Sequence, residues 1–369
     1  MAQYTIYVYN LASTIKITTI PATSFSYSSK LCDFGEAEIN LKVNPTTSRS
    51  GDLMKDLKVG ARTIYIFRGS TLVWGGLLYE WSYGSKERTL KITARTFEWY
   101  LFRRIQRITK EWKTSTEQLD IARTIVAPAL NNINASMGTQ TSGVKRSLSI
   151  YAYDFKTIGD RLDELSNMIK WFDWGFTLSV SSNGTINREF NYWYTHRGVT
   201  KTNTKLAFSY PNGSIIDYTL TRSLSDASTR VYTLGAGEGS EMIIATQTKN
   251  DLSGWALLDE SYSYKDVKVQ STLQSHANAR LAQKMAPIEL LDVIVRTNRP
   301  DTPTIGSFSV GDWAVFKIKD WAFPTQYSSY MRIIEYKVNV SEDGLETIDF
   351  TLNTENEETF EDTGASVDG

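Results

Sequence analysis

Histidine and cysteine are nearly missing from this chain. Only His196 and His276 occur, 80 residues apart, and neither has a second His or a Cys three to five positions away. That excludes the usual spacings of zinc-ligand pairs. The single cysteine, Cys32, excludes an internal disulfide framework and a cysteine-built metal cage; in Lys30-Leu-Cys-Asp-Phe34 it reads as a small buried hydrophobe. No apolar run reaches the roughly 18 residues of a transmembrane helix. The segment Met1-Ala-Gln-Tyr-Thr-Ile-Tyr-Val-Tyr9 lacks the cationic head and apolar middle of a signal peptide, so the chain is expected to be made, and to stay soluble, in the cytoplasm. Neither sign of charge is in excess. With 40 Lys and Arg against 41 Asp and Glu, the net charge of −1 gives no overall pull toward nucleic acid or an anionic membrane.

What the chain does contain points to strands. Aromatic residues make up 12% of its 369 residues, and such side chains suit a pleated, half-buried surface. At roughly 150 residues per domain, two or three domains are expected. Residues 1–105 form the first, a β-domain: Tyr4–Val8, Ile15–Ile20 and Glu38–Val43 alternate at period two, and Asn44-Pro45 stops the last of these. Thr63–Phe67, Leu72–Trp81 and Arg88–Thr96 follow as three more strands.

Residues 106–200 read as a helix-containing α/β domain. An apolar stripe at helical spacing runs through 114–127, with Thr114 and Glu117 as a capping box and Pro128 barring continuation. Residues 131–147, rich in Asn, Ser, Thr and Gly, read as a mobile loop. Phe155, Ile158, Leu162, Leu165 and Ile169 share one face of a second helix, with Asp160, Arg161, Asp163 and Glu164 outside. Strands Trp171–Val180 and Ile186–Tyr194 flank an Asn183-Gly184 turn.

Residues 201–352 form a second β-domain with one helix over 275–285, and Asn212-Gly213 reads as another hairpin turn. The acidic residues 353–369, which hold no Lys or Arg, are expected to be a disordered tail.

No constellation supports a reaction. Gly235-Ala-Gly-Glu-Gly239 lacks the Lys-Ser/Thr and following helix of a phosphate loop and reads as a turn between strands. The carboxylates at 154–164 leave a cell-wall hydrolase open, because glycoside hydrolysis needs only two acids. Trp171, Trp174 and Trp193 could present an aromatic surface to a sugar, although core packing explains them too. The basic cluster Arg103, Arg104, Arg107, Lys110 and Lys113 reads as a solvated face, with a contact for nucleic acid or an acidic neighbour as the alternative. No catalytic residue, metal ligand or cofactor is expected.

The strongest signal is internal. Leu57-Lys-Val-Gly60 precedes the strand Ala-Arg-Thr-Ile-Tyr-Ile-Phe67, and Phe308-Ser-Val-Gly311 precedes Asp-Trp-Ala-Val-Phe-Lys-Ile318. Leu77–Trp81 is answered by Ile333–Tyr336. After turns at Gly84 and Gly344, Arg88-Thr-Leu-Lys-Ile-Thr93 is answered by Glu346-Thr-Ile-Asp-Phe-Thr351. Two copies fit a duplicated β-domain and exclude a solenoid, although any two β-meanders share some of this likeness.

In order along residues 55–352, several short motifs resemble phage tail-hub proteins. They are Thr71-Leu-Val-Trp-Gly-Gly-Leu-Leu-Tyr-Glu-Trp81, Phe97-Glu-Trp-Tyr-Leu-Phe-Arg-Arg104, Ser228–Gly239, Thr272–Lys284, Ser309-Val-Gly-Asp312 and Met331–Val338. The resemblance implies a mainly β, α+β chain with two tail-tube-like antiparallel β-barrel domains and an intervening α/β domain. It further implies a homotrimeric ring in the virion's tail tip or baseplate that adapts to the six-fold tail tube and closes or gates the lumen. The implied partners are the distal tail, tail tube and tape measure proteins, receptor-binding proteins, and DNA in transit. Host attachment or wall digestion would then reside in partners, and a host-surface or carbohydrate-binding tail protein is the alternative.

Overall fold

The computed structural model describes residues 3–13, 15–43, 49–168, 170–265, 267–285, 288–297 and 302–353. The expected acidic tail beyond Asn353, the Asn44-Pro45 stop and Ile169 lie outside these residues.

The chain is mainly β. Its first third supplies β1 (Tyr4–Asn10), β2 (Lys16–Ile20), β3 (Ser24–Lys30), β4 (Glu36–Lys42), β5 (Arg62–Arg68), β6 (Thr71–Gly84) and β7 (Thr89–Arg95), with helices α1 (Arg49–Asp56) and α2 (Glu98–Leu101). Next come β8 (Lys110–Glu117), α3 (Gln118–Leu130), β9 (Ser136–Met137), β10 (Lys145–Ile150), α4 (Ile158–Ser166), β11 (Asp173–Val180) and β12 (Ile186–Trp193). The remainder is β13 (Ala207–Tyr210), β14 (Ile215–Ser223), β15 (Arg230–Leu234), β16 (Ile244–Thr248), β17 (Asp259–Ser263), α5 (Gln270–Lys284), β18 (Ile288–Arg296), β19 (Trp313–Ile318), β20 (Tyr327–Val340) and β21 (Glu346–Asn353).

Thirteen strands from both ends of the chain share one sheet. Its open path runs β14-β18-β21-β20-β3-β4-β7-β6-β5-β1-β2, with β19 on β20 and β13 on β19. The front half contributes β3-β4-β7-β6-β5 and the back half β14-β18-β21-β20-β19, the same order of equivalent strands. They join where β20 pairs antiparallel with β3, from Glu335↔Lys30 to Val340↔Phe25. Strict alternation produces this sheet: in β4, Ala37, Ile39 and Leu41 are buried while Glu36, Glu38 and Asn40 are not. The buried faces of both halves pack into one continuous core. Bidentate bonds from Arg68 to Glu346, each 3.0 Å, tie β5 to the start of β21.

A second core gathers α3, α4, β11 and β12 against Tyr65, Leu77, Phe97 and Leu101 of the front half. Here the structure departs from the sequence reading in several places. Thr114–Glu117 belongs to β8, and Glu117 itself caps α3 by accepting from the Leu119 N–H at 3.4 Å. Pro128 lies inside the last turn of α3, where buried Ala129 and Leu130 hold the helix through it. Residues 131–147 hold β9, paired in parallel with β12, and the start of β10. α4 begins at a Thr157–Asp160 capping box, which leaves Phe155 exposed in a left-handed turn. Arg161 is buried and paired with Asp154 and Glu164.

Residues 224–287 contain an insertion in the back half. A small sheet, β16-β15-β17, packs α5 through Ala245, Leu273 and Ala277. α5 begins at Gln270, earlier than residue 275, and Gly235–Gly239 is the turn between β15 and β16. Among the described residues no helix is long and apolar enough to cross a membrane.

Candidate functional site

The repeated Val-Gly turns have the same geometry. Gly60 (φ +75°) donates its N–H to Leu78 O at 3.1 Å, and Gly311 (φ +93°) donates to Ile333 O at 2.8 Å. Both angles lie in the left-handed region that favours glycine. Each turn therefore pins the second strand after it, β6 or β20, at corresponding points. Just beyond, the register slips between Leu78 and Glu80 in β6 and between Ile333 and Glu335 in β20. These matching β-bulges put Trp81 opposite Ile92 and Tyr336 opposite Phe350. The residue three before each glycine meets that aromatic: Trp81 Nε1 donates to Leu57 O at 3.0 Å, and the Phe308 and Tyr336 rings lie 5.2 Å apart.

The other two glycines are not equivalent. Gly344 (φ +73°) lies in the turn between β20 and β21, whereas Gly84 is the last residue of β6, opposite Thr89. In that front hairpin the left-handed residue is Arg88.

Opposite its core, the shared sheet presents a polar face to which both halves contribute. Three ion pairs cross strands on it: Lys30–Glu335 at 3.5 Å, Lys91–Glu38 at 2.7 Å and Arg95–Glu36 at 3.1 Å. Asn339 donates to Asp349 at 2.9 Å, and Thr351 to Asp292 at 2.8 Å. The Lys30–Glu335 pair bridges the two halves.

Beneath the Gly311 turn lies a buried polar node that links three parts of the chain. The fully buried Arg332 guanidinium pairs with buried Asp173 and donates through Nε to Gly311 O at 3.1 Å. Asp173 also accepts the Arg197 N–H, and Cys32 Sγ lies 3.6 Å from its other oxygen. Burial, together with the neighbouring Asp173 carboxylate, pushes the Cys32 thiol well above its ordinary pKa. Asp312 accepts from Val199 N at 2.8 Å and Ser309 N at 2.7 Å, locking the turn to residues 197–199. Sequence periodicity could not find this node, because its partners lie up to 300 residues apart (Cys32 and Arg332).

Nor does the structure bring the aromatic candidates together as a platform. Trp174 is fully buried in the second core against Phe190 and Phe102, so it offers no face to a ligand. Trp171 and Trp193 are half-buried, with the Arg332 and Arg197 guanidinium groups 5.5 and 4.5 Å from their respective rings. His196 contacts Thr195, while His276 stacks on Tyr264 at 4.1 Å. In the basic cluster, Arg104 bonds Tyr100 Oη at 2.7 Å, and Arg107 and Lys110 lie over Phe155 and Trp112.

A carboxylate that motif reasoning passed over is Glu98, buried beside the cleft between the two cores. It accepts the Phe176 N–H at 2.8 Å, and burial raises its pKa. Its place in Phe97-Glu-Trp was the available signal, since a charge between core aromatics needs a partner.

No family model and no curated protein matches the chain. Solved structures do. A tail protein from Neisseria meningitidis MC58 is similar at TM-score 0.64 and 13% identity, over 95% of this chain and 96% of that one. The 43 kDa tail protein of prophage MuSo2 from Shewanella oneidensis is similar at TM-score 0.63 and 11% identity, over 95% and 98%. Prophage tail protein gp18 from Listeria monocytogenes EGD-e gives 0.56 and 13%, over 96% and 95%. The identities are low while the coverage is nearly complete on both sides, so the likeness is one of fold: this chain has the fold of phage tail proteins.

Proposed function

We propose that the chain is the structural, non-enzymatic hub of a bacteriophage tail tip or baseplate. Three copies form a ring in which two repeated modules per chain offer six tube-like β-barrels to the six-fold tail tube. The observation carrying this reading is the repeat itself: two halves with equivalent strands in the same order, joined edge to edge through β20 and β3. A repeated head-to-tail contact of this kind generates a ring when the rotation closes.

The polar face of the shared sheet is the surface suited to line the lumen. Its cross-strand pairs offset the charges of Lys30, Lys91 and Arg95, which favours passage of DNA over binding. The hub would close or gate that lumen until genome delivery. The distal tail, tail tube and tape measure proteins are the neighbours that such a position implies, with receptor-binding proteins attached to the same assembly.

Light scattering and particle imaging of the purified full chain test the reading. The expected result is a ring of three times the chain mass with six similar lobes. A monomer both in solution and in assembled virions would overturn it.

A further inference from the structure

The basic cluster after the first β-domain plays no part in the hub reading, and folding gives it neighbours distant in sequence. Residues 104–110 run antiparallel beside residues 150–158. Ile158 N donates to Arg104 O at 2.7 Å, Gln106 N to Lys156 O at 2.9 Å and Ala152 N to Thr109 Oγ1 at 3.0 Å. Lys110 then pairs with Ile150 in the β8–β10 ladder. The resulting ribbon sets the cations of one segment beside the aromatic residues of the other. The Arg107 guanidinium lies 5.8 Å from the Phe155 ring centre, and the Tyr151 and Tyr153 rings stack at 5.1 Å.

Two features of this ribbon are unfavourable in the chain as it stands. Tyr153 and Phe155 are 69% and 63% exposed, although large rings gain free energy from burial. Phe155 also holds φ +51°, a backbone that a bulky residue rarely adopts and that glycine would hold without strain. Exposed apolar side chains rimmed by charge mark interaction surfaces, and Tyr and Arg are the residues that most often anchor them.

The charge left on the ribbon is positive. Asp154 is bound to Arg161, and Glu164 to both Arg161 and Lys156. Asp160 is engaged in the capping box of α4. Glu111 follows Lys110 along β8 and so points to the opposite face of that strand. Arg103, Arg107 and Lys110 are exposed and form no ion pair among the described residues.

We propose that this ribbon is a docking surface for the acidic segment 355–362 of this chain. The segment lies outside the described residues, and its sequence is Glu355-Asn-Glu-Glu-Thr-Phe-Glu-Asp362. It carries no Lys or Arg, and its one aromatic residue, Phe360, has carboxylates on both sides. That order complements exposed rings flanked by cations. Its starting point is also suitable. Asn353 ends β21 opposite Arg332, which pairs with Asp173, and the adjoining Phe172 N donates to Ser166 O at the end of α4. The ribbon leads into the other end of that helix, about 14 Å away along its axis. From Asn353, the seven residues to Phe360 can span about 24 Å. Asp154, set between Tyr153 and Phe155, disfavours a phosphate backbone or an anionic lipid surface across the same rings. The proposal is independent of the ring reading, since it concerns a surface outside the shared sheet.

Proteolysis of the full-length chain by a glutamate-specific protease tests it, with cleavage at residues 355–361 followed by mass spectrometry. Rates are taken relative to a free peptide of residues 353–364, so that effects on the protease cancel. The expected result is protection of the segment at low salt that is lost as salt rises. Two variants with exposed side chains, Arg103→Glu with Arg107→Glu and Phe155→Gly, should each speed its cleavage about threefold or more. Phe155→Gly removes the ring while relaxing the left-handed turn, so the fold is retained. Adding Glu357→Lys and Glu358→Lys to the double Arg variant should restore protection at Glu361.

Cleavage as fast as in the free peptide, or protection unchanged by both ribbon variants, would overturn the proposal. So would binding of oligothymidylate or phosphatidylserine vesicles that is lost in Phe155→Gly while the segment stays unprotected; the ribbon would then serve a phosphate-bearing partner.

Discussion

The front and back halves of this protein share a strand order but solve different problems at equivalent positions. Leu77 in β6 is an ordinary core residue, while its counterpart in β20 is Arg332, equally buried and paired with Asp173. Gly60 faces open space, whereas a Cβ on Gly311 would lie 2.5 Å from Arg197 O. A short turn joins β3 to β4, while the insertion containing β15–β17 and α5 separates β14 from β18. What persists between the halves is what hydrogen-bond geometry demands, the left-handed turn and the bulge. What diverges is what each half packs against. The front half lies on the second core, and the back half is fastened to residues 173 and 197–199.

This difference can be broken most severely at the buried pair. Asp173→Ala leaves the Arg332 charge without its carboxylate and should cost about 3–5 kcal/mol in chemical denaturation. Combining Asp173→Asn with Arg332→Leu, which gives the back half the front half's residue, should recover most of that loss. Full stability in Asp173→Ala would show that the node does not hold the halves together.

The two glycines should separate next. Gly311→Ala combines a left-handed backbone with a backbone clash and should cost about 2–3 kcal/mol, while Gly60→Ala pays only the conformational term of about 1–2 kcal/mol. Equal losses in melting experiments would mean that the contact with Arg197 relaxes freely.

The smallest effect belongs to the insertion. Burial, followed by the nearby Arg146 and Arg280 charges, pushes the His276 pKa down to about 4. The unfolded chain therefore binds the proton more readily than the folded one between about pH 6.5 and pH 4. Stability present above that window is lost as the pH falls through it, by about 1 kcal/mol once partial exposure is allowed for. Hydrogen-exchange protection, taken relative to the intrinsic rate at each pH, should fall in β15–β17 on acidification, with no histidine-linked change in residues 1–105, which contain no histidine. A uniform loss of protection in both halves would show that His276 does not act locally.

Much of this architecture was legible in the residues. Period-two alternation marked β1, β2 and β4, and Asn183-Gly184 marked the β11–β12 hairpin, because these signals depend on neighbours two to four positions away. The Val-Gly repeat announced equivalent turns at Gly60 and Gly311, since few residues other than glycine accept that backbone. Composition was a poorer guide in 131–147. Asn, Ser and Gly there suggested a mobile loop, but β9 finds a parallel partner in β12 about 50 residues away. Trp174 could have been a surface residue or a core residue from its local sequence; only the packing of Phe102 and Phe190 around it places it inside.

By itself, then, the sequence determined the local elements and their duplication: alternation, turn chemistry and the repeated glycine are short-range properties of the chain. The tertiary structure decided that the two copies share a single sheet. It joined β20 to β3 and buried Arg332 beside Asp173, because strand edges and buried charges choose partners by what remains unsatisfied after the local structure has formed. The same physical reason leaves the far half of β6 paired with β7 alone and β14 with β18 alone, among the described residues.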